Sequence, residues 1–504
     1  MGAALCAVSA SIDVVVDLVP TIIDGGEQRK RELDKLTRQA YEQCEQNGAR
    51  LDSIQISELE QMPLAYHTDG HKHRVQLTAI GQLNFQKFKH NEQQIKSKKK
   101  LSRIPIEKQP PANIKPPIQL NLKKKQPIFD NKGFWCIDAI DIEYIAYGTG
   151  ILGCGGGGES YHCKLWCLEV LRRDKHSMRV APPSYFASSS DLVIGIGFMG
   201  APTVSHELLS NDHECLQAVN KIEEYLGKKI NGIFSVEIGG SNGLMGLLVA
   251  ASKQVPCIDC DEMGRAFPCL NQFLNFIHDQ PLTPVCLCDI RGETVLITDE
   301  TDLTSAKLED ICRKECTERG LVVGVCLPPL NNEQLQKYTI HHSLSRAWFL
   351  GEAKFNNPNN AIEAVARVGH GRVVVSDGKI ISVERNTAGG FVRGHVTIET
   401  DGKLLIIDFQ NENLIARYKD GEIIARVPDL ITLVEQDSAE PLATEIIKYG
   451  LRVSVLVLPA PAPLTTSQAL KYVGLKAFDY DIPDQESDSF QKIPMKSVWD
   501  VFLY

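Results

Sequence analysis

The loudest chemical signal in the chain is ILGCGGGGESY at 151–161, where Gly155, Gly156, Gly157 and Gly158 run consecutively. Glycine costs backbone entropy on folding, so such a run makes sense where main chain must approach something that a Cβ would block. One reading is a ligand. Successive N–H groups form an anion nest, and a helix expected from about Tyr161 to Arg173 adds its N-terminal dipole. The other reading is a turn that lets two helices pack closely. A dinucleotide fingerprint is excluded: DAIDIEYIAYG before the loop has helical spacing at Ile142, Ile145 and Ala146, where that motif needs a strand. A P-loop is excluded too, because no Lys-Ser/Thr pair follows. Cys154 sits in this loop. A thiol beside a helix N-terminus has a lowered pKa and serves as a nucleophile; the alternative is a small packed side chain.

Two more clusters follow. In SVEIGGSNGLMG (235–246), Glu237 falls at the carboxyl end of an expected strand, and Gly239 and Gly240 lead into a helix capped by Ser241 or Asn242. In CIDCDEMGRAFP (257–268), Asp259 and Asp261 leave the next expected strand. Ligands of open α/β sheets bind beyond the carboxyl ends of the strands, so Glu237, Asp259 and Asp261 are expected at one crevice. Clustered carboxylates repel one another unless a proton, an arginine or a cation compensates. Arg265 is one compensating partner and a hard divalent metal ion is another; Asp259 as a turn cap is the plain alternative. The loop GFMGAPTVSHE (197–207) leaves a further strand end, bringing His206 and Glu207 within range as extra ligands. CIDC has C-x-x-C spacing, but no second pair stands at zinc-ribbon distance. His341 and His342 are neighbours that a helix would splay by about 100°, a poor chelating pair. His370 stands alone at a junction.

The elements that must position these groups are legible from periodicity. From 131 to about 366 strands and helices alternate: a nearly all-apolar strand at 191–198, a helix at 212–227 with Leu216, Val219, Ile222 and Leu226 on one face, a strand at 233–238, a helix at 241–253 and a strand at 256–259. A helix at 303–318, a strand at 321–326 and helices within 331–366 complete the series. This succession predicts a mainly parallel sheet with flanking helices. From about 371 the period becomes two, with Asp-Gly hairpin signals at 377–378, 401–402 and 420–421, which predicts a β-rich barrel or sandwich over 371–504. Residues 1–85 read as a small α+β piece: a strand at 12–19, an amphipathic helix at 26–47 and a strand at 72–80. Residues 86–130 hold two lysine runs and many prolines and are expected to be a mobile linker; a tether to nucleic acid or membrane would need aromatic interleaving or an amphipathic helix.

The 504-residue chain has a formal net charge of -9, which speaks against a nucleic-acid binder, since phosphate contacts need a basic surface. Its 15 cysteines are scattered rather than evenly paired, as in a reduced protein. The apolar start lacks a basic n-region and is interrupted by Asp13 and Asp17, and no stretch is long and apolar enough to span a bilayer. The expectation is a cytoplasmic protein.

Seven blocks in order resemble the DUF917 family, also described as S-methyl-thiohydantoin-desulfurase-like. They are ILGCGGGGESY (151–161), GFMGAP (197–202), VEIGGSNGLMGLLVAA (236–251), DCDEMGRAFP (259–268), GGFVRGHVTIE (389–399), FQNENLIA (409–416) and VPDLITLVE (427–435). The resemblance covers about 131–480. Residues 1–85, through PLAYHTDGHKHRVQLTAIGQL (63–83), are similar to the tail of a hydantoinase/oxoprolinase A-type chain, without its ATP-handling part. The sequence departs from the family pattern where Glu262 replaces an expected Gly, and where GLKAFD puts Lys476 and Asp479 in place of Arg and Gly.

The resemblance implies a hydrolase of small cyclic amides or thioamides of hydantoin, thiohydantoin or oxoproline type. In one form a divalent ion on Glu237, Asp259, Asp261 and Glu207 activates water, and the loop of Cys154 to Gly158, with Gly239, Gly240, Asn242 and Arg265, binds the substrate. The alternative is a non-catalytic accessory or ligand-binding subunit for a hydantoinase-type partner. A homo-oligomer is also open; neither nucleic acid nor membrane is expected as a partner.

Overall fold

The computed structural model describes residues 7–18, 26–64, 72–84, 126–200, 212–298, 302–388, 391–483 and 495–503. The chain divides into two compact units, residues 1–121 with 384–386, and residues 122–383 with 387–504. His206, Glu207 and nearly all of the expected linker lie outside the described residues.

In the first unit, β1 (Val8–Asp17), β2 (Gln55–Pro63) and β3 (Lys72–Gly81) form antiparallel pairs in the order β1-β3-β2, with helix α1 (Glu27–Gln46). Leu36, Ala40 and Cys44 of α1 are buried with Ile12, Val75 and Leu77, the apolar stripe that the helical spacing foretold. Strand β2 is absent from the sequence reading. A bulge between Ile56 and Glu58 shifts the register, so QISELEQMP does not alternate cleanly.

In the second unit a nine-stranded sheet is built from β4 (Ile128–Phe129), β5 (Trp135–Cys136), β6 (Arg179–Ala181), β7 (Val193–Gly200), β8 (Gly232–Ser235), β9 (Cys257–Ile258), β11 (Val285–Cys288), β12 (Thr294–Ile297) and β13 (Val322–Cys326), in the order β12-β11-β13-β7-β8-β9-β6-β5-β4. Only the centre is parallel, at β7–β8, β8–β9 and β9–β6; the pairings on either side are antiparallel. The expected mainly parallel sheet is therefore a mixed one. The crossover helices are α4 (His213–Leu226) and α5 (Asn242–Lys253). Upstream, α2 (Ala139–Leu152) and α3 (Ser160–Arg173) flank the glycine loop. A two-stranded ribbon pairs β10 (Cys260–Asp261) with β14 (Ile340–His341). Further on come α6 (Ser305–Glu318), α7 (Ser343–Asn356) and α8 (Ala361–Val368). Helices α2 and α7 cross so closely that a Cβ at Gly148 would overlap the Ala347 carbonyl, and Trp348 Nε1 donates to Asp141 Oδ1 at 2.9 Å in that crossing.

The β-rich part of this unit is antiparallel. Strands β15 (Arg372–Ala388), β16 (Phe391–Thr400), β17 (Lys403–Gln410), β18 (Glu412–Tyr418), β19 (Ile423–Arg426), β20 (Leu430–Glu435) and β21 (Arg452–Leu458) follow the order β20-β21-β15-β16-β17-β18-β19. Two of the three hairpin signals are real turns: Asp401 and Gly402 at φ 47° and 73° join β16 to β17, and Gly421 at φ 98° lies between β18 and β19. The third is not. Asp377 and Gly378 lie inside the continuous strand β15, at register shifts against β21. Among the described residues, no helix is long and apolar enough to cross a membrane.

Candidate functional site

The site is a cavity of about 160 Å³ in the second unit, between the end of β7, the turn after β8, the glycine loop and the start of β18. Trp166, Phe198, Met199, Met245, Met263 and Phe273 supply much of its apolar wall; Glu237, Asn242, Glu412, Asn411, His162 and Arg313 supply polar groups.

Glu237 stands just beyond β8. Asn242, at the first turn of α5, donates from Nδ2 to Glu237 Oε1 at 3.3 Å, and is itself fixed to Phe198, accepting from its N–H at 2.8 Å and donating to its carbonyl at 3.2 Å. Burial pushes the Glu237 carboxyl up to about 8, opposed by its hydrogen bonds to Asn242 and the Phe267 N–H. Glu412 opens β18 after Asn411, whose φ of 58° makes the reversal from β17. Glu412 is only 3% exposed, and its Oε2 has no hydrogen-bond partner. Its pKa lies well above the carboxylate range, chiefly from burial and next from the charge of Glu237.

The glycine loop makes room for both acids. A Cβ at Gly156 would overlap Glu412 Oε1, and one at Gly157 would lie 2.8 Å from Glu237 Oε1. The loop also packs main chain to main chain on the other glycine turn. Gly157 O accepts from Asn242 N–H at 3.3 Å and Ser241 Oγ at 3.0 Å, and Gly158 O accepts from Ser241 N–H at 3.1 Å. Gly240, at φ 59°, leaves no space for a Cβ against the Gly158 carbonyl. The glycines of the loop thus admit a neighbouring backbone and two carboxyl groups. Of the run, Gly157 and Gly158 line the cavity. Gly155 is turned to the β-rich part, its carbonyl accepting from Thr444 N–H at 2.8 Å.

Of the two readings of Cys154, nucleophile or small packed side chain, the geometry favours the second. Cys154 is fully buried, with Sγ 3.6 Å from the Leu152 carbonyl, and burial raises its pKa rather than lowering it. The expected carboxylate trio is not assembled either. Asp259 is buried and consumed by α7: its two oxygens accept from Ser345 N–H at 3.0 Å and Ser345 Oγ at 2.6 Å, with His342 Nδ1 3.4 Å away. Asp261 Oδ2 accepts from the N–H groups of Ile238 at 3.1 Å, Met263 at 3.2 Å and Gly264 at 2.6 Å. Asp261 therefore holds the backbone next to Glu237 instead of facing the cavity, and burial raises its carboxyl to about 7. Among the described residues, no three His, Cys, Asp or Glu side chains are grouped to hold a metal ion.

Arg265 is not a substrate clamp. Fully buried, it donates to the carbonyls of Ala266, Asp429 and Asn413 at 3.0, 2.8 and 2.9 Å, stapling the 259–268 turn to β18 and β20. Its charge lowers the pKa of both Glu237 and Glu412 without outweighing their burial. Gly239 is pressed against Ala266 and Gly153. At the cavity wall, Arg313 is paired with Glu309 and lies 4.0 Å over the Phe391 ring. The sequence reading singled out neither Glu412 nor Arg313. The available signal for Glu412 was QNEN at 410–413, four consecutive polar residues spanning the reversal from β17 to β18, all of them buried.

Family models for the S-Me-THD-like N-terminal domain and the S-Me-THD-like C-terminal domain match residues 140–299 and 303–486. The chain belongs to the S-Me-THD-like family. Membership implies an enzyme with a thiohydantoin-desulfurase-like role. The fold is shared with a crystal structure of a protein from Chromobacterium violaceum, 21% identical, at a TM-score of 0.60 over 69% of this chain and 98% of that one. None of the curated proteins matches. Both departures from the family pattern have a structural setting. The Glu262 carboxyl is fully buried, and burial holds it well above the carboxylate range. Asp479 adopts φ 64°, a left-handed conformation that Asp tolerates better than most residues that replace glycine.

Proposed function

We propose that this protein hydrolyses small cyclic amides or thioamides of hydantoin, thiohydantoin or oxoproline type, with Glu237 as general base and Glu412 as general acid. The observation that carries the reading is the pair of buried carboxyl groups beside Gly156 and Gly157 in one cavity, each pushed upward in pKa by burial. Two like-charged acids in a dry site cannot both ionise easily, so one proton stays on the pair over a wide pH range. That state holds an acid and a base together, which ring hydrolysis needs.

In this scheme Glu237, once ionised, takes a proton from water as its oxygen forms a bond to the ring carbon. Glu412 gives its proton to the departing ring nitrogen, or to the departing sulfur of a thio-substituted ring, as that bond breaks. Proton transfer between the product and the pair restores the starting state. Asn242 holds Glu237 in place, and the apolar wall limits access of bulk water. Of the four expected metal ligands, Asp259 is bound to Ser345, Asp261 to backbone N–H groups, and Glu207 lies outside the described residues, so the scheme is written on Glu237 and Glu412 alone.

The test is turnover of hydantoin, an S-alkylated thiohydantoin and 5-oxoproline by the full chain, beside Glu412→Gln and Glu237→Gln. Hydrolysis of at least one ring that drops about 10²-fold or more in either variant supports the reading. Undiminished turnover in both variants overturns the assignment.

A further inference from the structure

A second cavity, of about 300 Å³, lies in the same unit where α7 and the end of α8 meet Pro459–Pro461 and the C-terminal segment. It is chemically unlike the first. Its charged or ionisable lining groups are Arg346, Lys496 and His370, with no acidic side chain among them. The remaining wall is apolar, and two of its hydrophobic residues, Val368 and Val501, are 36% and 46% exposed. The volume sits at the lower end of the roughly 300–1,000 Å³ usual for small-molecule sites.

Arg346 is the telling group. The one hydrogen bond of its side chain goes from Nη2 to the Pro459 carbonyl at 3.1 Å, and among the described residues no carboxylate lies within ion-pair distance, the charge of Asp261 acting on it from farther off. A guanidinium carries five donors in a fork shaped for a carboxylate, and leaving it desolvated without an anion is costly. That cost shows in its pKa, which burial lowers to about 10. By contrast, Arg265, fully buried where Arg346 keeps part of its surface exposed, spends its donors on three carbonyls.

We propose that this cavity is a second ligand site that takes a small organic carboxylate, the anionic head on Arg346 beside Lys496 and His370, the apolar body against Phe349, Val368 and Val501. Nothing in this assignment depends on the chemistry of the first cavity.

The experiment is calorimetric titration of the full chain with phenylacetate, phenylacetamide and inorganic phosphate. Phenylacetate should bind at one site, about tenfold tighter than the neutral amide, which lacks the charge, and than phosphate, which lacks the apolar body. Arg346→Gln should abolish binding. Because Arg346 also holds Pro459, Lys496→Gln and His370→Gln provide the reading at exposed positions, each weakening phenylacetate roughly two- to five-fold. Four results overturn the proposal: no binding, equal binding of the amide or of phosphate, unchanged affinity in both exposed variants, or loss of binding in Glu412→Gln, which would place the probe in the first cavity.

Discussion

Glu237 and Glu412 lie within charge–charge reach of one another, one against Gly157 and the other against Gly156, so that two consecutive glycines clear space for two acids from distant parts of the chain. A pH prediction follows. With Glu237 raised to about 8, kcat/KM should climb with pH and level off near that value as Glu237 ionises. Stability should move the opposite way. The unfolded chain releases this proton near the ordinary value of 4.5 and the folded chain holds it to about 8, so folding loses stability as pH rises through that window, by at most about 1.4 kcal/mol per pH unit for this group. Urea unfolding at pH 5 to 8 should show the slope, and Glu237→Gln should flatten it. An unchanged slope in the variant contradicts the assignment.

Gly156→Ala should be damaging because the new methyl group overlaps Glu412 rather than because of backbone strain, since Gly156 does not have a positive φ. The cost should be about 1–3 kcal/mol, with turnover sharply reduced. Pairing it with Glu412→Ala should recover much of the stability and none of the activity. A double-mutant cycle with no coupling would show that the two groups do not meet.

Arg265→Lys should destabilise by about 3 kcal/mol or more, because an ammonium cannot reach three carbonyls in the plane of a guanidinium and is left buried with lost partners. Thermal melting checks this; a Tm within a degree of the parent rejects the stapling role.

Asp259→Ala removes the acceptor for both Ser345 N–H and Oγ, and should cost about 2–4 kcal/mol. Any metal content by elemental analysis should be the same in parent and variant, since Asp259 is committed to Ser345 and His342. Metal lost in step with the mutation would restore the metal-ligand reading.

Cys154→Ala should keep turnover, and the native thiol should resist alkylation at pH 8, because it is fully buried with a raised pKa. Rapid labelling that parallels inactivation would return Cys154 to the site.

Local pattern alone determined much of this protein. Helix α1, helices α4 to α6, the strands β7 and β13 and the turns at 401–402 and 420–421 follow from apolar periodicity and turn chemistry, which act between residues close in sequence. Of the residues that the same reasoning singled out, Gly157, Gly158 and Glu237 line the cavity. It failed where the deciding partner is remote or the rule is local but overridden. A bulge hid β2, and pairing with β21 kept Asp377–Gly378 inside a strand although that dipeptide favours a turn. The fate of each carboxylate was beyond it altogether. Asp259 and Asp261 leave the same strand end and differ only in what reaches them: Ser345 from α7 takes one, and the backbone N–H groups of Ile238, Met263 and Gly264 take the other. Glu412, arriving from the β-rich part, became the second acid instead. Residue type sets what a carboxyl group can do; burial and the donors brought to it by the tertiary fold set its proton, its partner and hence its use.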